Sequence, residues 1–238
     1  MADLLQTALD AHGGIDRWRQ LRRVKADLSI GGVIWPMKGK PDILKRASIE
    51  GLLHEQQLTT HLLGQNKRFV FLPNRVLLET EDGALLQSRE SPRASFDGVT
   101  ADSPWDDLHV AYFSSYALWT YLTIPFLYTW PGFATEELQP WEEDGEVWRP
   151  LRVKFPSIVA SHTAEQTSYF GADGLLRRHQ YTVDVLGGAP GVNYAALYHN
   201  SNGIIVPTMR RVHAYDADKK KVPEPVLVSF DIEQIAFG

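Results

Sequence analysis

The sequence predicts a mainly β (α+β) fold, a curved antiparallel sheet wrapped around an aromatic-rich helix, with a short N-terminal helix. Three observations predict it. Apolar and polar residues alternate through two long blocks, residues 24–88 and 147–237, each divided by glycine, proline and Asp-Gly or Asn-Gly punctuation. Between the blocks, residues 108–135 contain no Asp, Glu, Lys or Arg and are rich in rings. Ahead of both blocks, the first dozen residues carry helical spacing instead of alternation.

Leu4, Leu5, Ala8, Leu9 and His12 recur along one helix face, with Asp3 as N-cap and Gly13-Gly14 as the stop. A second short helix is expected over 15–21, capped by Asp16 and contributing Trp18. Through residues 24–88, Gly31-Gly32, Pro36, Pro41, Gly64, Pro73-Asn74 and Asp82-Gly83 separate short strands. Ser103, Pro104 and Asp106 then supply an N-cap, an N1 proline and an acidic first turn, so a helix is expected from 103 to about 123. Pro125 ends it, because proline disfavours helical geometry in the residue before it. The uncharged stretch meets the length rule for a membrane span. His109, Ser114, Ser115, Thr120, Thr123 and Pro125 favour two shorter pieces buried within a protein instead. After Gly145, strands are expected over 147–155, 165–170, 175–186, 194–200, 204–215 and 226–237, in meander order.

With 238 residues, 44% hydrophobic and 22% charged, the chain is expected to form one domain over 1–238 with a substantial core. Its net charge is −5 and its arginines fall in scattered pairs, Arg22-Arg23, Arg177-Arg178 and Arg210-Arg211, which excludes nucleic acid as a partner class. Lys219-Lys220-Lys221 reads as a polar hairpin tip. Zero cysteines exclude disulfides, a thiolate nucleophile and sulfur-ligated zinc. Residues 1–6 show no basic, then apolar, leader, so cytoplasmic residence is expected.

The order of helix, strands, aromatic helical insert and long strands, together with Ala11-His12-Gly13-Gly14-Ile15-Asp16-Arg17-Trp18, resembles the LolA/LolB-like family of outer-membrane lipoprotein-sorting proteins. The resemblance spans most of the chain. It implies a half-barrel, an incomplete antiparallel barrel plugged by helices, and an acyl chain or other hydrophobic small molecule bound in the apolar concavity. The chain departs from transport members in showing no signal peptide and no cysteine for lipid attachment. The expectation therefore covers architecture and an apolar ligand, and does not extend to lipoprotein traffic.

Trp105, His109, Tyr112, Tyr116 and Trp119 follow one another at intervals of four, three, four and three, which places them along one helix side. They read either as core or as the wall of a ligand cavity. Phe126, Tyr128, Trp130, Phe133 and Trp141 extend the aromatic character and suggest a lid or plug. The eight histidines lack a chelating motif, so no metal and no cofactor are expected. In the strand over 175–186, Arg177, His179 and Tyr181 share one face; Arg178, Gln180, Thr182 and Asp184 share the other. Either face could line the pocket. Arg178, Asp184 and Arg210 are expected on the solvated convex side, and His162 at a pocket rim or in a solvent loop.

No nucleophile elbow, Walker loop or dinucleotide fingerprint is present. The function expected is binding of a hydrophobic molecule by Trp105, Tyr112, Tyr116, Trp119, Phe126 and His162. The alternative is a cytoplasmic enzyme of lyase, isomerase or hydrolase type. In that case His179 and His109 converge to do acid/base chemistry, assisted by Tyr181 or Arg177.

Overall fold

Alternation in the first block becomes six paired strands in the computed structural model, which describes residues 3–100 and 102–238. Helices α1 (Leu4–Ala11) and α2 (Ile15–Gln20) precede β1 (Arg23–Gly31), and one helical turn, α3 (Ile34–Met37), follows it. Then come β2 (Ala47–Leu52), β3 (Leu58–Leu62), β4 (Lys67–Leu72), β5 (Arg75–Thr80) and β6 (Leu85–Glu90). Helix α4 (Asp107–Thr123) is followed by two short strands that the sequence did not predict, β7 (Ala134–Glu137) and β8 (Trp141–Glu143), and then by the second block: β9 (Glu146–Lys154), β10 (Glu165–Phe170), β11 (Leu176–Val183), β12 (Ala189–Ser201), β13 (Ile204–His213) and β14 (Val228–Phe237). Strand β12 begins ahead of the expected residue 194, directly after Gly187 and Gly188 close the turn in left-handed geometry.

All strands pair antiparallel in one 14-stranded sheet, ordered β6-β5-β4-β3-β2-β1-β14-β13-β12-β11-β10-β9-β7, with β8 paired to β9. The first and last strands join the two blocks. Their register runs from Val24 opposite Phe237 to Gly31 opposite Ser229, with a bulge at Asp27/Leu28. The sheet curves without closing, so β6 and β7 remain edges.

Asp3 caps α1 as expected, its carboxylate accepting from Leu5 N at 3.2 Å. Two caps differ from expectation. Helix α2 is capped by Gly14 at φ 84°, and Asp16 lies inside its first turn. Helix α4 starts at Asp107, not at Ser103. Trp105 N donates to the Lys38 carbonyl at 2.9 Å and holds this stretch extended beside α3. Asp106 then accepts from His109 N at 2.8 Å while Asp106 N donates to His109 Nδ1 at 3.3 Å, a reciprocal cap worth about 1 kcal/mol. The C-terminal end falls at Thr123, with Ile124 extended before Pro125.

Every residue of α4 from Val110 to Thr123 is buried, because the half-barrel surrounds the helix. The hydroxyls of Ser114, Thr120 and Thr123 donate to the carbonyls four residues back, at 2.7–2.8 Å, which removes the cost of burying them. One core gathers Phe113 and Leu118 with Ala47, Ile49, Phe69 and Phe71 of β2 and β4. A second gathers Trp119, Leu127 and Tyr128 with Leu4 and Ala8 of α1 and with Leu151, Val153 and Phe170. Among the described residues no helix is long and apolar enough to cross a membrane. The turn between α1 and α2 needs its glycine: a Cβ on Gly13, at φ +114°, would sit 2.0 Å from the Gly203 carbonyl oxygen in the β12–β13 turn.

Arg178 overturns the expectation of a solvated convex side. It is fully buried there, 4.7 Å from the Tyr169 ring and 4.9 Å from that of Trp141, and it pairs with Glu143 at 3.2 Å. The short β8–β9 hairpin and the loop carrying Lys219-Lys220-Lys221 fold over it. The Lys219 carbonyl accepts from Arg178, and Lys220 Nζ lies 4.3 Å from the Trp141 ring centre, so the lysine loop is a strap and not a free tip.

Candidate functional site

Strand β11 places its chemistry through a bulge. Tyr169 of β10 stands opposite Arg178, yet the next residue, Phe170, stands opposite Leu176, so Arg177 is the extra residue. Beyond the bulge, His179, Tyr181 and Val183 face α4 while Arg178 faces away. Arg177 does not share their surroundings. It turns to Asp173 at 2.7 Å and to the Tyr198 hydroxyl at 3.1 Å. The pocket-facing side of this strand is therefore the His179/Tyr181 side, without Arg177.

A cavity of about 80 Å³ opens between α4 and the rim formed by β1 and β11–β14. Phe113, Ser114, Ala117, Leu118 and Tyr121 line its helix side. Val183, Val212 and Phe230 line its sheet side, and Ile30 and Trp35 close one flank. Gly191 makes room for Tyr181 in the wall, since a Cβ there would lie 2.6 Å from the Tyr181 ring. Leu186 and Leu227, both half-buried, and exposed Pro190 stand at the mouth.

At its inner end the cavity meets a chain of polar groups. The Tyr116 hydroxyl is 3.0 Å from His162 Nδ1, the Tyr121 hydroxyl is 3.0 Å from His162 Nε2, and the Tyr121 and Tyr181 hydroxyls are 2.6 Å apart. His162 stacks on Tyr181 with ring centres 4.1 Å apart. The loop between β9 and β10 that carries it is pinned: Asp184 N donates to the His162 carbonyl at 3.0 Å, and Arg93 Nη1 to that of Ser161 at 2.9 Å. Burial, and secondly the Arg93 charge, push the His162 imidazole down to about 3. Burial raises Tyr116, Tyr121 and Tyr181, so all three stay protonated at neutral pH.

Behind Tyr121 and Tyr181 lie three more buried polar side chains on adjacent strands. His179 pairs in register with Asn193, and Arg210 sits diagonally across from Asn193 on β13. His179 is held neutral by burial and by the Arg210 charge, and among the described residues neither of its ring nitrogens has a hydrogen-bond partner. Asn193 lies near the Tyr121 hydroxyl without closing a hydrogen bond to it. Arg210, 1% exposed, donates through Nη2 to the Tyr121 carbonyl at 2.9 Å and lies 4.9 Å from the Tyr121 ring. Placing Arg210 on the convex side is thus corrected: it points inward, toward the carbonyl end of α4, where a cation is stabilised by the helix dipole.

No protein-family model matches the chain, and no curated protein sequence matches it. Solved structures do. A LolA superfamily protein from Nitrosomonas europaea superposes with a TM-score of 0.57 at 9% identity, covering 100% of this chain and 94% of its own. The chain has a LolA/LolB-like fold. A putative outer membrane lipoprotein-sorting protein domain from Vibrio parahaemolyticus (TM-score 0.55, 10% identity, 98% and 91% covered) has it too. So does a DUF1329 family protein from Desulfovibrio piger (TM-score 0.53, 11% identity, 99% and 94% covered). Identities this low carry the fold and not the function.

Within the LolA/LolB-like half-barrel, the sites read from the sequence separate. His162 and Tyr181 line the cavity, and Tyr116 joins them through His162. His109 and His179 do not converge. His109 spends both ring nitrogens at the start of α4, on Asp106 N and on the Ser95 carbonyl at 3.1 Å. His179 neighbours Tyr121, twelve residues further along the helix, roughly 18 Å at 1.5 Å per residue. Trp105 precedes the helix and packs on Phe96 and Phe113. Tyr112 packs on Phe71 and Phe96 and borders a separate open groove with Arg93 and Asp184. Trp119 points to the other core, donating to the Leu52 carbonyl at 2.7 Å, and Phe126 stacks on Trp18 at 4.3 Å. The stripe chosen for its rings is therefore mostly core.

The cavity face of α4 is the neighbouring stripe, Phe113, Ser114, Ala117, Leu118 and Tyr121. A signal was present: Ser114 and Ala117 are small, and small residues on a buried helix leave space. Arg210 also left one, a charged residue two positions before inward-facing Val212. Asp184 is exposed as expected and pairs with Arg93 at 2.7 Å.

Proposed function

We propose that this protein binds a small hydrophobic molecule, or one segment of an acyl chain, in the cavity between α4 and strands β11–β14. The observation that carries the reading is the cavity itself: about 80 Å³, walled by Phe113, Ala117, Leu118, Val183, Val212 and Phe230, and opening at an apolar mouth. The likeness in fold to a LolA superfamily protein and to an outer membrane lipoprotein-sorting domain supports it. At roughly 10–15 Å³ per water-sized sphere the space admits a short alkyl segment, below the roughly 300 Å³ at which drug-sized pockets begin. A longer chain extends past Leu186 and Leu227 into solvent or a partner. Acid/base catalysis ranks second, because a histidine held near 3 is a weak base at neutral pH.

Calorimetric titration with 1-octanol tests the reading. Saturable binding is expected in the wild type, weakened at least about tenfold in Ala117→Phe, whose added ring fills the cavity. Absence of saturable binding in the wild type, or unchanged affinity in the folded variant, would overturn it.

A further inference from the structure

The chain Tyr116–His162–Tyr121–Tyr181 has one proton donor more than it can use. Three hydroxyls and one neutral imidazole bring four donors to three hydrogen bonds. If His162 Nδ1 accepts from Tyr116, then Nε2–H donates to Tyr121, Tyr121 donates to Tyr181, and the Tyr181 proton is left over. With the other tautomer the donors reverse and the Tyr116 proton is left over. Only Tyr181 of these two borders the cavity. An acceptor oxygen arriving there is met by the spare proton, and its arrival fixes the tautomer of the chain. A buried hydroxyl without an acceptor is costly, so the chain favours such an arrival.

The electrostatic surroundings narrow the kind of oxygen. Arg210 is a buried guanidinium that, among the described residues, pairs with no carboxylate, and its Nη1 has no hydrogen-bond partner. Its surroundings are neutral: His179, His162 and His12 are held unprotonated by burial, and Tyr121, Tyr128, Tyr181 and Tyr198 stay protonated. Arg93, beyond His162, is offset by Asp184, and Arg177 by Asp173. The helix carbonyl end offsets only about half a charge. The inner end of the cavity therefore carries a positive potential in a buried, low-dielectric interior, where it acts at long range.

Resting on the binding reading above, we propose that the ligand is a monocarboxylate with an apolar chain, seated head-inward. One carboxylate oxygen accepts from the Tyr181 hydroxyl, Arg210 supplies the compensating charge from behind Tyr121, and the chain runs out along Phe113, Ala117 and Val183 to the mouth. The arrangement explains why an apolar pocket ends in tyrosines and an arginine that, among the described residues, has no carboxylate partner, where an aliphatic floor would hold a hydrocarbon tail equally well.

Calorimetric titration of the full chain with octanoate and with methyl octanoate at neutral pH tests this, the pair differing in charge and sharing the alkyl chain. The acid is expected to bind about tenfold more tightly than the ester. Tyr181→Phe keeps the ring and should weaken both ligands about fivefold. Arg210→Met should erase the preference by weakening the acid alone. Should Arg210→Met fail to fold, the wild-type ratio and Tyr181→Phe still decide. Equal affinity for acid and ester, or no change in Tyr181→Phe, overturns the head-inward carboxylate while leaving the pocket reading intact; binding of neither overturns both.

Discussion

Tyr121 and Tyr181, sixty residues apart in the chain, bring their hydroxyl oxygens within 2.6 Å of each other at the inner end of the cavity. One comes from the last turns of α4 and the other from the middle of β11, so this single contact measures how the helix is seated in the half-barrel. It also joins the helix side of the cavity, where Tyr121 touches Arg210, to Tyr181 on the sheet side.

Removing the Tyr121 hydroxyl should cost more than removing that of Tyr181. Tyr121→Phe strands both the Tyr181 hydroxyl and His162 Nε2 in the buried interior, a loss of about 1–3 kcal/mol. Tyr181→Phe leaves the other two links closed and should cost less than Tyr121→Phe. Urea unfolding of the two variants gives the order directly; the reverse order would mean that the relay is not a structural unit.

Stability should fall as the solution is acidified below pH 6.5. His162 is ordinarily half-protonated near 6.5 but only near 3 when folded, and His12 near 4, in both cases mainly through burial. The unfolded chain therefore binds protons first as pH drops. The contribution of each histidine is complete above about 6.5 and declines toward its folded value, at up to about 1.4 kcal/mol per pH unit. Urea midpoints measured from pH 7.5 to 4.5 should show this slope, shallower in His162→Gln. A flat profile in the wild type would contradict the burial of both rings.

Trp119→Ala should separate stability from binding. The ring is 1% exposed and belongs to the core around Leu127 and Val153, away from the cavity, so its loss is expected to cost about 3–5 kcal/mol. Octanol affinity of the folded fraction should stay within about twofold of wild type. A large drop in affinity at retained fold would place Trp119 in the binding wall.

Glu143→Ala should be among the more damaging changes on the convex side. Glu143 accepts from Arg178 at 3.2 Å and from the Tyr194 hydroxyl, and removing it leaves a guanidinium with no surface exposure and no carboxylate beside it. Losing one member of a buried ion pair costs about 3–5 kcal/mol. Thermal melts of Glu143→Ala and Arg178→Met would settle it, since the methionine removes the charge along with its need for a partner and should be the milder of the two.

The sequence by itself determined the mainly β class, the half-barrel with its central helix, the strands of both blocks and the end of α4 before Pro125. The class, the strands and the helix end follow from alternation, turn residues and proline geometry, which act over a few residues and are written locally; the half-barrel was implied by the resemblance in element order to the LolA/LolB-like family. It also marked His162 and Tyr181 as candidates. Tertiary structure alone decided which ring faces the ligand. On a helix buried all round, ring spacing cannot tell the Tyr112/Trp119 side from the Phe113/Tyr121 side, because both are apolar and the choice depends on what the sheet brings opposite. A one-residue bulge turned Arg177 away from His179, and a distant strap of lysines buried Arg178, neither of which local periodicity encodes. The length of α4, finally, set His109 and His179 apart: both are histidines in a ring-rich fold, but the helix rise puts one at each end of it.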